Sequence, residues 1–219
     1  MYSAASDAAS SLNSNNSVKS NSTTHDKTSN IASSIDVTGN LTLTSNQNLV
    51  ISGSNLSGAS GSLTSNSGSI SILSAAETDR ITTSSSQISG RSKHPVLKGS
   101  KKTSETEIET ITNIASNLNF TDSLEVKTLS GATSDINVNG SNLAVSDGDL
   151  TLSAAGNINI INAIDSTLST SSSNKKGNTR KSKSESGDYV ETAAESSLSA
   201  NNINISSLGD TVIQGTSQI

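Results

Sequence analysis

INVNGSNLAVSDGDLTLSAAGNINI, residues 136–160, holds four runs at or near an apolar-polar-apolar pattern: Ile136-Asn-Val138, Leu143-Ala-Val145, Leu150-Thr-Leu152 and Ile158-Asn-Ile160. Alternation over two residues marks a strand with one buried face. The runs begin 7, 7 and 8 residues apart, and the gaps are filled by Gly, Asn, Asp and Ser, which accept tight-turn and left-handed backbone angles. Strands this short, joined by corners of four or five residues, suit a coil of stacked turns better than a row of hairpins. In such a coil the inward side chains form aliphatic columns. Asn and Ser at the corners stack on their equivalents one turn away.

The same pattern recurs outward from this stretch, at Leu41-Thr-Leu43, Leu49-Val-Ile51, Ile70-Ser-Ile72, Leu124-Glu-Val126, Ile203-Asn-Ile205 and Thr211-Val-Ile213. Composition fits a narrow coil and little else. Ser (50), Thr (24) and Asn (24) occupy 98 of 219 positions, and aromatics are 1%. A helical or α/β core built on large apolar side chains is excluded on that ground. The absence of Cys excludes disulfides, thiolate metal sites and cysteine nucleophiles. The fold expected is all-β, a parallel β-helix with polar, basic excursions. Residues 1–28 lack the alternating runs and are expected to be a disordered Ser/Asn-rich lead. They also lack the basic and apolar regions of a signal peptide, and no apolar run is long enough to span a membrane as a helix.

A longer period lies over the short one. Ile51-Ser-Gly-Ser-Asn-Leu56 matches Val138-Asn-Gly-Ser-Asn-Leu143, 87 residues later, and Thr83-Ser-Ser-Ser86 matches Thr170-Ser-Ser-Ser173 at the same offset. The expected organisation is a first repeat over 29–104 (excursion about 79–104), a second over 105–187 (excursion about 166–187) and a truncated third over 188–219, which reads as part of a longer chain. Ten of the 14 Lys and Arg fall in two basic stretches of the excursions, residues 91–102 and 175–183: Arg91, Lys93, Lys98, Lys101 and Lys102, then Lys175, Lys176, Arg180, Lys181 and Lys183. Acids follow each set (Glu105, Glu107 and Glu109; Glu185, Asp188 and Glu191), so each excursion is expected to fold back with its basic arm against its acidic arm. The functional alternative is a contact with an anionic surface. No aromatic interleaves with these cations, which argues against nucleic acid.

Gly-Ser-Asn-Leu at 53–56 and 140–143, Gly-Asp-Leu-Thr-Leu-Ser-Ala at 148–154, Ala-Gly-Asn-Ile-Asn-Ile at 155–160 and the Ser/Thr-then-Lys segments leading into Glu-Thr resemble haemagglutinin-type repeats. Such repeats occur in filamentous haemagglutinins and contact-dependent inhibition exoproteins, and the resemblance runs over about residues 30–219. It implies a right-handed parallel β-helix in a secreted or cell-surface exoprotein exported by an outer-membrane partner. It also implies adhesion to a host or neighbouring cell, through a glycan or an envelope protein, by a shaft segment. The alternative is a toxin-delivery segment, and a carbohydrate-active β-helix enzyme ranks last.

Catalytic, cofactor and metal sites are all expected to be absent. Asp147 and Asp149 flank Gly148 at a corner and read as turn chemistry; a calcium site would need six to eight oxygens. The histidines are His25, in the lead, and His94, beside Pro95 in an excursion. Neither position promises the fixed ring that a triad base requires.

Overall fold

Ser, Thr and Asn compete with the helical backbone for hydrogen bonds, while Ile, Val and Thr fit a pleated surface, and every regular element among the described residues is a strand. A computed structural model describes residues 2–3, 9–13, 17–89, 99–131, 133–177 and 179–215. In chain order the strands open with β1 (Tyr2–Ser3), β2 (Ala9–Asn13), β3 (Ser17–Thr28), β4 (Ser34–Asp36), β5 (Asn40–Ser45), β6 (Leu49–Ser52) and β7 (Asn55–Ser65). Next come β8 (Ile70–Leu73), β9 (Ala75–Ser89), β10 (Ser100–Ile114), β11 (Asn117–Thr128), β12 (Ile136–Asn139), β13 (Asn142–Val145) and β14 (Asp149–Ala154). The series ends with β15 (Ile158–Ile161), β16 (Ala163–Lys176), β17 (Lys181–Ala194), β18 (Ser197–Ser199), β19 (Asn202–Ser207) and β20 (Thr211–Gln214). Two compact units result: one of residues 1–29, 78–111 and 166–191, the other of 30–77, 112–165 and 192–219.

The second unit holds two wholly parallel sheets, ordered β6-β8-β12-β15-β20 in one and built from β4, β5, β7, β11, β13, β14, β18 and β19 in the other. The pairings stack the chain in five tiers: 34–52, 55–73, 117–139, 142–161 and 197–214. Equivalent residues sit directly over one another. Ile35, Leu56, Leu118, Leu143 and Leu198 form one column, and Leu49, Ile70, Ile136 and Ile158 another that ends on Thr211. The three inner tiers bury their columns fully, with Leu63, Ile70, Ile72, Leu118, Ile136, Val138, Leu143, Leu150, Leu152 and Ile158 all at 0% exposure. At about 25 cal/mol per Å² of apolar surface, this single narrow core is the main favourable term holding the unit together.

Polar columns finish the corners. Asn117 donates through Nδ2 to Asn55 Oδ1 at 3.0 Å, Asn142 to Asn117 Oδ1 at 2.9 Å, and Ser197 Oγ to Asn142 Oδ1 at 2.8 Å. One residue earlier lies a serine ladder. The backbone N–H of Ser54 donates to Ser116 Oγ, that of Ser116 to Ser141 Oγ, and that of Ser141 to Ser196 Oγ, at 3.2, 3.3 and 3.3 Å. Ser116 and Ser141 are fully buried, and their hydroxyls donate to the carbonyls of Leu73 and Asn139. The corner therefore recurs in a third tier as Ser116-Asn117-Leu118, without the glycine that marks it at Gly53 and Gly140, whose φ values are 51° and 52°. Ser116→Ala leaves the Ser54 N–H without its hydroxyl acceptor and removes one of two donors to the Leu73 carbonyl, which keeps the Gly53 N–H at 3.0 Å, and is expected to cost about 1–3 kcal/mol in denaturant unfolding. A loss below half that would show that water replaces the ladder.

The first unit is one seven-stranded antiparallel sheet, ordered β1-β3-β9-β10-β16-β17 with β2 also on β3. Ser17–Thr28, expected to be disordered, is therefore a strand. Its partners explain why: Thr23 faces Thr83, Thr24 faces Thr82, Ser22 faces Ser84, and Val18 faces Ile88. Thr–Thr, Ser and β-branched cross-strand pairs each contribute about 0.2–1 kcal/mol, and they leave no hydrophobic alternation to read. β3 precedes two tiers and β9 returns beside it; β10 precedes two more and β16 returns beside it. The expected excursions, about 79–104 and 166–187, both contribute strands to this one sheet.

Candidate functional site

The basic residues gather at one end of this sheet. Lys101 lies directly opposite Lys176 and Lys102 opposite Lys175 in the β10–β16 ladder. Arg180 and Lys181 follow immediately, after a turn closed by the Gly177 N–H on the Arg180 carbonyl at 2.8 Å. All six side chains are exposed, and among the described residues none of them forms an ion pair; Lys183 bridges Glu185 at 2.5 Å. Arg91, Lys93 and Lys98, with His94, lie outside the described residues. The expected match of basic arm to acidic arm does not occur in the β10–β16 ladder. Register is set by the Ser/Thr pairs further along (Ser104 opposite Ser173, Thr106 opposite Ser171), and it leaves like charges face to face. Such pairs are destabilising. Successive residues alternate between faces, so each face of the sheet end carries one lysine pair.

Next to that end the sheet carries acids. A depression of about 310 Å³ is lined by Ser20, Ser84, Ser86, Thr103, Ser172 and Asn174, with Lys101 and Glu105 at its wall. A second, of about 600 Å³, is lined by Glu105, Glu107 and Glu185 with Thr170, Ser172 and Gly187. Arg80 binds Glu107 at 2.7 Å, and this hydrogen bond and charge push the guanidinium pKa above its usual range. The Tyr189 hydroxyl donates to Glu191 Oε1 at 2.6 Å, which raises its pKa above the ordinary tyrosine value. Hydroxyls, amides and charges of both signs suit hydrogen-bonded contact with a polar polymer.

His25 is placed in β3, with Nε2 2.7 Å from Asp79 Oδ1. The ring is thus held by a carboxylate, contrary to the sequence expectation, although both side chains are about two-fifths exposed and the residue opposite His25 is Ile81. Several carboxylates of the tiers have backbone or ladder partners. Asp36 accepts from Ser57, Asp135 from the Asn157 N–H, Asp149 from Asn202 Nδ2, and Asp165 from both the N–H and the side chain of Asn113. Among the described residues no group of three or more His, Asp or Glu is arranged to hold a metal ion. Among the described residues no helix is long and apolar enough to cross a membrane.

Sequence reasoning located the cations but not their opposition across the ladder, because β10 and β16 are joined through two tiers of intervening chain. No curated protein and no solved structure matches the chain. One family model does, that of the hemagglutinin repeat, over residues 10–93. That span runs from β2 through β3, two tiers and the return strand β9, and it includes residues 10–28 of the expected lead. The match supports an adhesin-type segment of an exported protein. Residues 10–93 of this chain are a haemagglutinin-type repeat region.

Proposed function

We propose that the chain is a non-catalytic shaft segment of a secreted or cell-surface adhesin, wound as a right-handed parallel β-helix. The observation that supports this most is the parallel pairing through five tiers, shifted in register between Phe120 and Ser123 of β11, with aliphatic columns inside and Asn and Ser ladders at the corners. Each added tier lengthens such a shaft by about 4.8 Å. A long array would hold a distal domain away from the cell that displays it. Electron cryomicroscopy of the chain is expected to show right-handed tiers at that spacing. Left-handed winding, or sheets assembled from separate chains, would overturn the reading.

Contact with a host or neighbouring cell is assigned to the basic sheet end, through anionic glycans. Lys102→Glu separates this role from a structural one. Placing a carboxylate opposite Lys175 is expected to stabilise the protein by about 0.5–1 kcal/mol. Retention on a sulfated glycan resin should nonetheless fall, with elution at lower salt. Unchanged elution would remove the sheet end from the binding surface.

A further inference from the structure

The two faces of the antiparallel sheet differ in charge. Lys19 lies opposite Gln87 in the β3–β9 ladder, and Lys102 opposite Lys175 in the β10–β16 ladder. The hydroxyls of Ser85 and Ser104, 2.7 Å apart, join the two ladders, so Gln87 and Lys102, two residues along each antiparallel strand, fall side by side on that same face. Lys19, Gln87, Lys102 and Lys175 therefore form one row across four neighbouring strands, three steps of about 4.8 Å or about 14 Å long. The next row is Asn21, Ser85, Ser104 and Ser173, and the one after it is all Thr and Ser. On these four strands the first acid along the face is Asp79, opposite Lys27, which is eight residues or about 27 Å beyond Lys19. The matching row on the opposite face is Val18, Ile88, Lys101 and Lys176, half of it aliphatic. Acids follow there at once: Glu105 stands four residues, about 14 Å, from Lys101, with Glu107 and Glu109 behind it.

Resting on the glycan contact assigned above, we infer that the face of Lys19, Lys102 and Lys175 is the one that binds, and that Lys19 belongs to the site. The occupant is an anionic glycan chain laid across the strands. Its sulfate or carboxylate groups lie on the lysine row, and its sugar hydroxyls lie on the row of Asn21, Ser85, Ser104 and Ser173. Charge and hydrogen bonding both favour this face. All three lysines are exposed, and among the described residues none of them forms an ion pair. An anion over the row also offsets the like-charge contact of Lys102 with Lys175, which is destabilising while unoccupied. On the opposite face Val18 and Ile88 offer neither charge nor hydrogen bond, and Glu105 and Glu107 repel further anionic groups along the strands.

Retention of the 219-residue chain on a sulfated glycan resin tests the face. Lys19→Gln and Lys175→Gln are each expected to elute at lower salt, and the triple variant Lys19→Gln, Lys102→Gln, Lys175→Gln to lose retention at physiological ionic strength. Lys101→Gln with Lys176→Gln should lower the elution salt by less than half as much as Lys19→Gln with Lys175→Gln, although each pair removes two charges. A Lys101/Lys176 pair that loses half as much or more, or a Lys19→Gln that elutes with the unmodified chain, would overturn the choice of face and leave the sheet-end contact standing. Undiminished retention in every variant would overturn that contact as well. All five lysines are exposed, so the substitutions remove no core contact, and circular dichroism checks that the strands are kept.

Discussion

Phe120→Ala is expected to destabilise the tiered unit by about 3–5 kcal/mol, the range for emptying a buried aromatic site. Phe120 is the single phenylalanine of the chain and is 4% exposed. Its ring fills a gap in one column. Leu41, Leu124, Leu150 and Ile203 stack in register there, but the second tier contributes Gly61. A Cβ built on Gly61 would sit 2.6–2.8 Å from three atoms of the Phe120 ring, so ring and glycine are complementary. Gly61→Leu alone is therefore expected to destabilise by overpacking, about 1–3 kcal/mol. Combined with Phe120→Ala it restores an aliphatic column, and the double variant should be more stable than Phe120→Ala alone. Denaturant unfolding of the four proteins measures the coupling. Strictly additive losses would mean that ring and glycine do not share one space.

Gly148→Ala is expected to be worse, at about 4–5 kcal/mol, among the largest effects seen for one residue. The corner before β14 presses Gly148 onto the third tier, and an added Cβ would lie 1.7 Å from the Asp122 carbonyl oxygen. Two backbone bonds fix that approach, from the Ser146 N–H to the Phe120 carbonyl at 3.0 Å and from the Asp147 N–H to the Thr121 carbonyl at 2.8 Å. They tie the corner to the irregularity that shifts register in β11 between Phe120 and Ser123. Gly39→Ala is the control, because nothing lies within 4 Å of its added Cβ, and it should change stability by less than about 0.5 kcal/mol. Equal thermal midpoints for the two variants would contradict the tier contact.

What the sequence disclosed and what it hid follow from one difference in chemistry. Where one strand face is aliphatic, as in Ile136-Asn-Val138, alternation is visible and the strand sits where the pattern puts it. Where both faces are hydroxyl, as in β3 and β9, there is nothing to alternate, and pairing rests on partners remote in the chain. The serine ladder was half visible. Gly-Ser-Asn-Leu announced two of its rungs, while Ala115-Ser116-Asn117-Leu118 lacked the glycine and passed unseen. The cations of the candidate site were plain as a run of charge. Their opposition across β10 and β16 was not, since register there is decided by neutral neighbours. The Phe120–Gly61 fit needs the third dimension altogether.

Parallel in-register stacking is the claim on which the shaft rests. Val50 and Val212 lie in one outward-facing column with Ser71, Asn137 and Asn159 between them, and they are 60% and 42% exposed. The chain has no cysteine, so Val50→Cys with Val212→Cys gives two unique attachment points for spin labels. Four steps of about 4.8 Å place the backbones of the two positions about 19 Å apart. Measured by pulsed electron resonance on labelled protein diluted with unlabelled chain, a single narrow distance near that value is predicted. A broad distribution, or a peak beyond about 30 Å, would contradict the stacked register.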